Sequence, residues 1–192
     1  MAERLYEIAM NMARLRPTDT VIDAYCGTGT IGLVAASRGV KEVIGIESNP
    51  DAVKDAKLNA EANGISNARF IVDDASKWLK SAQKEGQKCD VLFLDPPRAG
   101  SSEEFLAAAG RMEPEVIVYI SCNPETLARD LRYIVRFLPY KVLGIQPVDL
   151  FPGSESIETV VLLSKKTEKP KTFFDISVEA KDYYRIKDRK KN

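Results

Sequence analysis

Val21-Ile22-Asp23-Ala24-Tyr25-Cys26-Gly27-Thr28-Gly29-Thr30 decides the fold: an apolar run, a short glycine-bearing turn, then helical spacing. Gly27 and Gly29 let the backbone turn sharply and approach a ligand closely, and a helix opening at Thr30 turns its free N–H groups toward the same spot. Strand, turn and helix in this order build the mouth of an α/β sheet, where ligands gather. On the glycines alone the ligand stays open. Gly32 falls where the third glycine of a dinucleotide loop could sit, and a turn of purely structural use has the same pattern. The next apolar run, Ile44-Gly45-Ile46, ends in Glu47. A carboxylate there can accept hydrogen bonds from both hydroxyls of a nucleoside ribose. It lies 18 residues after Gly29, close to the ~20-residue offset such a contact needs.

Outward from this loop, short runs rich in Val, Ile and Phe recur over 20–25, 42–47, 68–72, 90–94 and 115–121. Between them, 30–37, 50–63, 75–82, 103–111 and 124–137 carry helical spacing. Pro50 and Pro124 suit first helical turns, where no N–H is needed. Strict alternation with nearly continuous apolar strands predicts a parallel sheet covered on both faces. Residues 141–150 and 157–164 then follow each other across the turn Phe151-Pro152-Gly153 with no helix between, which predicts an antiparallel pair at one edge. Ahead of the glycine loop, 3–15 reads as an amphipathic helix with Leu5, Ile8, Ala9, Met12 and Leu15 on one face, expected to pack against the sheet edge. A mostly parallel α/β sheet of seven strands closed by a C-terminal antiparallel hairpin resembles the Rossmann-like fold of class I methyltransferases.

The 192 residues, 44% hydrophobic, suffice for one ordinary core. That domain is expected over 1–164. The formal charge is zero, yet from Lys165 onward 10 basic residues face 5 acidic ones, so a basic tail over 165–192 follows an acidic body. The tail is expected to be partly disordered, with a short strand at 173–178. Neither a long apolar stretch nor an N-terminal signal pattern is present, and Cys26, Cys89 and Cys122 form no CxxC pair or even framework. A reducing, cytoplasmic setting without membrane association is the expectation. The chain has no histidine. That removes Ser-His-Asp and Cys-His catalysis and most zinc sites, so no metal is expected.

Two further strand ends carry chemistry. One reads Asp95-Pro96-Pro97-Arg98, where the prolines stiffen a loop that holds Asp95 at the sheet mouth. The other reads Ser121-Cys122-Asn123-Pro124, a thiol at the lip of a buried strand before a tight turn. Together with the glycine loop these segments resemble the S-adenosylmethionine-dependent RNA 5-methyluridine methyltransferases, over about residues 5–164. The resemblance implies S-adenosylmethionine as cofactor, with Gly27 and Gly29 in its loop, Tyr25 and Thr30 at the methionine end, Glu47 on the ribose and Asp74 by the adenine. Asp74 can also cap the following helix, and Asp73 is read as solvated. It further implies that Cys122 attacks C6 of uracil, because C5 alone is too weak a nucleophile to take a methyl group. A general base must then remove the C5 proton. The segment Phe151-Pro152-Gly153-Ser154-Glu155-Ser156-Ile157-Glu158-Thr159-Val160-Val161 matches the family's closing motif and makes Glu158 that base, with Glu155 as rival. Relatives often carry His where Ser156 stands. Asp95 is expected to hydrogen-bond the uracil edge or the cofactor, Asn123 to read a carbonyl, and Arg129 and Arg132 to meet phosphate.

The implied partner is RNA, ribosomal rather than transfer, and the expected state is a monomer. Full-length relatives carry an N-terminal RNA-binding barrel and a Phe-x-Gln segment ahead of this region, so a fragment or a free-standing domain is expected. Rival readings are a cytosine-C5 or amino-methyltransferase of RNA or DNA, and a non-catalytic cofactor-binding module. Arg98 stands against the amino enzyme, whose Asp-Pro-Pro loop ends in a stacking aromatic. Retention of both Cys122 and Glu158 stands against the module.

Overall fold

A computed structural model describes residues 2–150 and 157–166. Seven strands form one sheet in the order β3-β2-β1-β4-β5-β7-β6. They are β1 (Thr20–Ala24), β2 (Glu42–Glu47), β3 (Ala68–Val72), β4 (Val91–Leu94), β5 (Val116–Ser121), β6 (Tyr140–Val148) and β7 (Glu158–Lys165). The first five are parallel; β7 runs antiparallel between β5 and β6. This is the class I methyltransferase arrangement expected from the sequence.

The parallel strands are apolar on both faces because both are covered. Ile22, Ala24, Ile44, Ile46, Ile117 and Tyr119 join one cluster with α4 (Ala75–Lys84), α5 (Glu103–Arg111) and α6 (Pro124–Phe137). The alternate residues Val21, Val43, Phe93, Val118 and Ile120 join another with α1 (Ala2–Ala13) and α2 (Thr30–Ser37), and α3 (Pro50–Ala62) packs beside α2. Strand-to-helix junctions are set by short polar caps. Asn49 accepts from the N–H of Asp51 at 2.9 Å and Asn123 from that of Glu125 at 3.0 Å, each just before a first-turn proline.

Helix α1 corrects one expectation. It lies across the sheet face over β5 and β7, not against the edge. The buried stripe is accordingly Leu5, Ala9, Met10 and Ala13, with Ile8, Met12 and Leu15 only partly covered. The hairpin strands also shift slightly: β6 starts at Tyr140 and β7 runs through Lys165. The expected turn at Phe151-Pro152-Gly153, the rival Glu155, Ser156, and the tail beyond Lys166 with the strand expected at 173–178 lie outside the described residues.

Candidate functional site

The loop after β1 is built from backbone that favours glycine: φ is 52° at Gly27 and 85° at Gly29. A Cβ on Gly29 would stand 2.9 Å from the Phe70 ring, so the position is also sterically closed to larger residues. Tyr25 holds φ 65° without being glycine, a strained conformation of the kind that clusters at ligand sites. Its ring packs on Phe105 at 4.9 Å between centroids, and burial pushes its hydroxyl up to about 12. Thr30, the first residue of α2, is exposed at the loop's outer rim.

Glu47 ties the second strand end to this loop. One carboxylate oxygen accepts the Gly27 N–H at 3.2 Å, and the other accepts Ser48 Oγ at 3.1 Å and the Asn49 N–H at 2.9 Å. Asp74 caps α4 by accepting the Lys77 N–H at 3.0 Å. Asp73 is partly exposed and accepts the Asp74 N–H at 2.7 Å, which shapes the turn into α4.

Strand register brings the remaining residues together. Ser121 pairs with Thr159 across β5 and β7, so Cys122 and Glu158 lie level at the lip, one position further on each strand. Neighbouring strands are ~4.8 Å apart. Leu94 pairs with Tyr119, which sets Asp95 on the same rim from the other side of β5. Period-2 alternation carries Asp23, Asp95 and Glu158 to the α1 side, with Phe93, Val118 and Val160.

Electrostatics bear this grouping out. Burial raises Asp95 to about 6, and the negative charge of Glu158 adds to it. Burial also raises Glu158, while the Arg98 guanidinium pulls it back down. The Tyr6 hydroxyl on α1 is raised by burial and then by Asp95, Asp23 and Glu158. Sequence reasoning missed both Tyr6 and Asp23. Asp23 is fully buried: one oxygen accepts the Gly32 N–H at 2.7 Å and the other has no hydrogen-bond partner. Burial pushes it to about 7, with Asp95 and Glu47 adding to the rise. A charged residue inside an apolar strand was the available signal.

Asp23 and Asp95, with Glu47 and Glu158 on either side, put carboxylates on four strand ends along one rim, a row that favours a cation there. A pyrophosphate would add negative charge, which answers the dinucleotide alternative left open by the glycines. The ammonium and sulfonium of S-adenosylmethionine are positive, and its ribose suits the acceptors of Glu47. These residues fit that cofactor. Among the described residues no cluster of His, Cys, Asp or Glu is arranged to hold a metal, and no helix is long and apolar enough to cross a membrane.

Other assignments change. The Asn123 side chain caps α6 through its oxygen and donates one Nδ2–H to the Arg98 carbonyl at 3.1 Å. Arg129 is tied to Asp130 and to loop carbonyls. Cys26 and Cys89 are buried, and burial raises both thiols, while Cys122 is half-exposed. A cavity of about 980 Å³ between α1 and β6 opens at the other end of the strands, by Asp19, Glu115 and Ser164, away from this rim.

Residues 2–138 match the family model described as "Conserved hypothetical protein 95". The chain belongs to that family. It is 48% identical over 165 residues to an "uncharacterized RNA methyltransferase" of Streptococcus mutans, covering 86% of this chain and 36% of that protein. The chain thus spans about a third of the length of the curated relatives it matches. Among solved structures, the Pyrococcus abyssi tRNA (uracil-54, C5)-methyltransferase in complex with S-adenosyl-L-homocysteine is 34% identical, with TM-score 0.68 over 82% of this chain and 37% of its own. NSun6 from Pyrococcus horikoshii, 17% identical with TM-score 0.71 over 85% of this chain and 52% of its own, shares the fold.

The acidic cluster makes a pH prediction. Asp23 and Asp95 sit above the ordinary carboxylate value, so between about pH 4 and pH 7 the folded chain holds protons the unfolded chain has released. Stability is greatest at the acid end of that window and falls as pH rises through it. For fully buried Asp23 the loss is on the order of 4 kcal/mol at most. The Tm of the cofactor-free protein should fall between about pH 4 and about pH 7 and level off above, and Asp23→Asn should flatten the profile. A level or rising wild-type Tm counts against the cluster.

Proposed function

We propose that residues 1–164 form the catalytic domain of an RNA methyltransferase that transfers a methyl group from S-adenosylmethionine to C5 of uridine, with 165–192 as a basic tail. The observation that carries this reading is the level placement of Cys122 and Glu158 at the ends of neighbouring strands, beside Asp95. A thiol and a carboxylate side by side serve a reaction that needs first a nucleophile and then a base. The likeness to the Pyrococcus abyssi enzyme supports uracil over cytosine, and Arg98 after Asp95-Pro96-Pro97 argues against an amino group as acceptor.

The cofactor supplies an electrophilic methyl group. Glu47 holds its ribose, Tyr25 and the Gly27–Gly29 backbone line its methionine end with Thr30 at the rim, and Asp74 lies toward the adenine. Cys122 adds to C6 of the uracil, and the displaced electron pair makes C5 nucleophilic. Once C5 carries the methyl, Glu158 takes the C5 proton, the C5–C6 double bond re-forms and the thiolate leaves. Asp95, raised to about 6, is partly protonated near neutrality and hydrogen-bonds the uracil edge in either state. The uridine must be turned out of its stack to reach Cys122.

Mass spectrometry of nucleosides from ribosomal and transfer RNA of a deletion strain tests the reading. One 5-methyluridine should disappear and return on complementation, with ribosomal RNA the favoured pool. Loss of a methylated cytidine or adenosine instead would overturn it.

A further inference from the structure

The loop that carries Asp95 has no secondary structure to hold it, yet α6 and its cap Asn123 grip four of its backbone groups, the Ser101 N–H and the carbonyls of Arg98, Ala99 and Ser101. Asp130, buried in α6, accepts the Ser101 N–H at 2.7 Å, the Tyr119 hydroxyl at 2.6 Å and Arg129 Nε at 2.9 Å. Arg129 Nη2 donates to the carbonyls of Ala99 at 2.9 Å and Ser101 at 3.2 Å. Asn123 Nδ2 and Thr126 Oγ1 both donate to the Arg98 carbonyl, each at 3.1 Å. Gly100, with φ 74°, allows this approach: a Cβ there would stand 2.6 Å from Asp130 Oδ2 and 2.7 Å from Arg129 Nη2.

The clamp joins two rims of the site. Helix α6 starts two residues after Cys122, and the gripped loop starts at Asp95. Tyr119, whose hydroxyl closes the network, lies in β5 three residues before Cys122. A buried carboxylate with one backbone N–H, one hydroxyl and one guanidinium is satisfied on both oxygens, so the arrangement is single-valued. We propose that Asp130 and Arg129 are positioning residues that fix the Asp95 loop relative to Cys122, and that they act on the methyl-transfer step rather than on cofactor binding. Glu47 and the Gly27–Gly29 turn are held by a separate set of bonds, so loosening the clamp leaves the ribose-binding part of the cofactor end intact. The inference rests on the reading of Cys122 and Asp95 as working residues.

The test compares Arg129→Gln, Asp130→Asn and Gly100→Ala with wild type in the intact protein. Methyl transfer into total RNA from cells lacking the gene gives kcat, and calorimetry with S-adenosylmethionine gives affinity and the number of competent sites. Arg129 is exposed on one side, so its variant folds even where Asp130→Asn does not. A displacement of about 1 Å costs on the order of a hundredfold. The expected result is a ten- to hundredfold loss of kcat per cofactor-binding site, with cofactor affinity within about twofold of wild type. A merely structural role lowers Tm and the number of competent sites but leaves kcat per site unchanged, and that result overturns the proposal. The ratio of variant to wild-type kcat reads the clamp whichever base atom is methylated. The uridine reading is judged separately, by whether wild type forms an adduct with 5-fluorouridine RNA.

Discussion

Cys122→Ala is expected to abolish methyl transfer, with a loss on the order of 10⁴–10⁶-fold, the range seen when a covalent nucleophile is removed. Nothing near it offers a substitute. The chain has no histidine, and the other two thiols, Cys26 and Cys89, are buried with burial holding them protonated. Cofactor binding should survive, because Cys122 follows β5 while Glu47 ends β2 and the glycine turn follows β1. The measurement is methyl transfer to RNA together with denaturing electrophoresis after incubation with 5-fluorouridine RNA. Wild type should give a band shifted by covalent RNA, since fluorine at C5 cannot leave as a proton, and Cys122→Ala should give none. A variant that methylates within tenfold of wild type would remove the covalent mechanism.

Much of this was legible in advance because the parallel strands are nearly continuous apolar runs and their helices start at readable caps. Asn49-Pro50 and Asn123-Pro124 mark two helix starts to the residue. The face of α1 was not legible, because which hydrophobic row is buried depends on where the helix crosses the sheet. Strand order was only half legible. Two final strands without a helix between them had to pair, but nothing in their residues says that β7, not β6, lies beside β5. That choice brings Glu158 level with Cys122; the reverse order would set it one strand spacing, ~4.8 Å, further off. Tyr6 was beyond reach for the same reason as the α1 face. Asp130 carried no signal in the sequence, and only the packed loop gives it three donors.

The second large effect separates the two halves of the reaction. Glu158→Gln keeps the size and hydrogen-bonding edge of the side chain but cannot take a proton. Addition of Cys122 and methylation of C5 precede the step in which Glu158 acts, so both should proceed. Elimination should not. Turnover is expected to fall by about 10²–10⁴-fold, the usual worth of a positioned general base, while a methylated protein–RNA adduct accumulates with ordinary RNA. The environment suits the role: burial raises Glu158 toward the operating pH, where a base combines correct ionisation with real proton affinity, and Arg98 keeps the rise in check. Mass spectrometry of the adduct distinguishes the outcomes. A digested peptide containing Cys122 and carrying methylated uridine is the expected species. An adduct lacking the methyl would move Glu158 to an earlier step, and normal turnover by Glu158→Gln would pass the role of base to another carboxylate, with Glu155 the next to substitute.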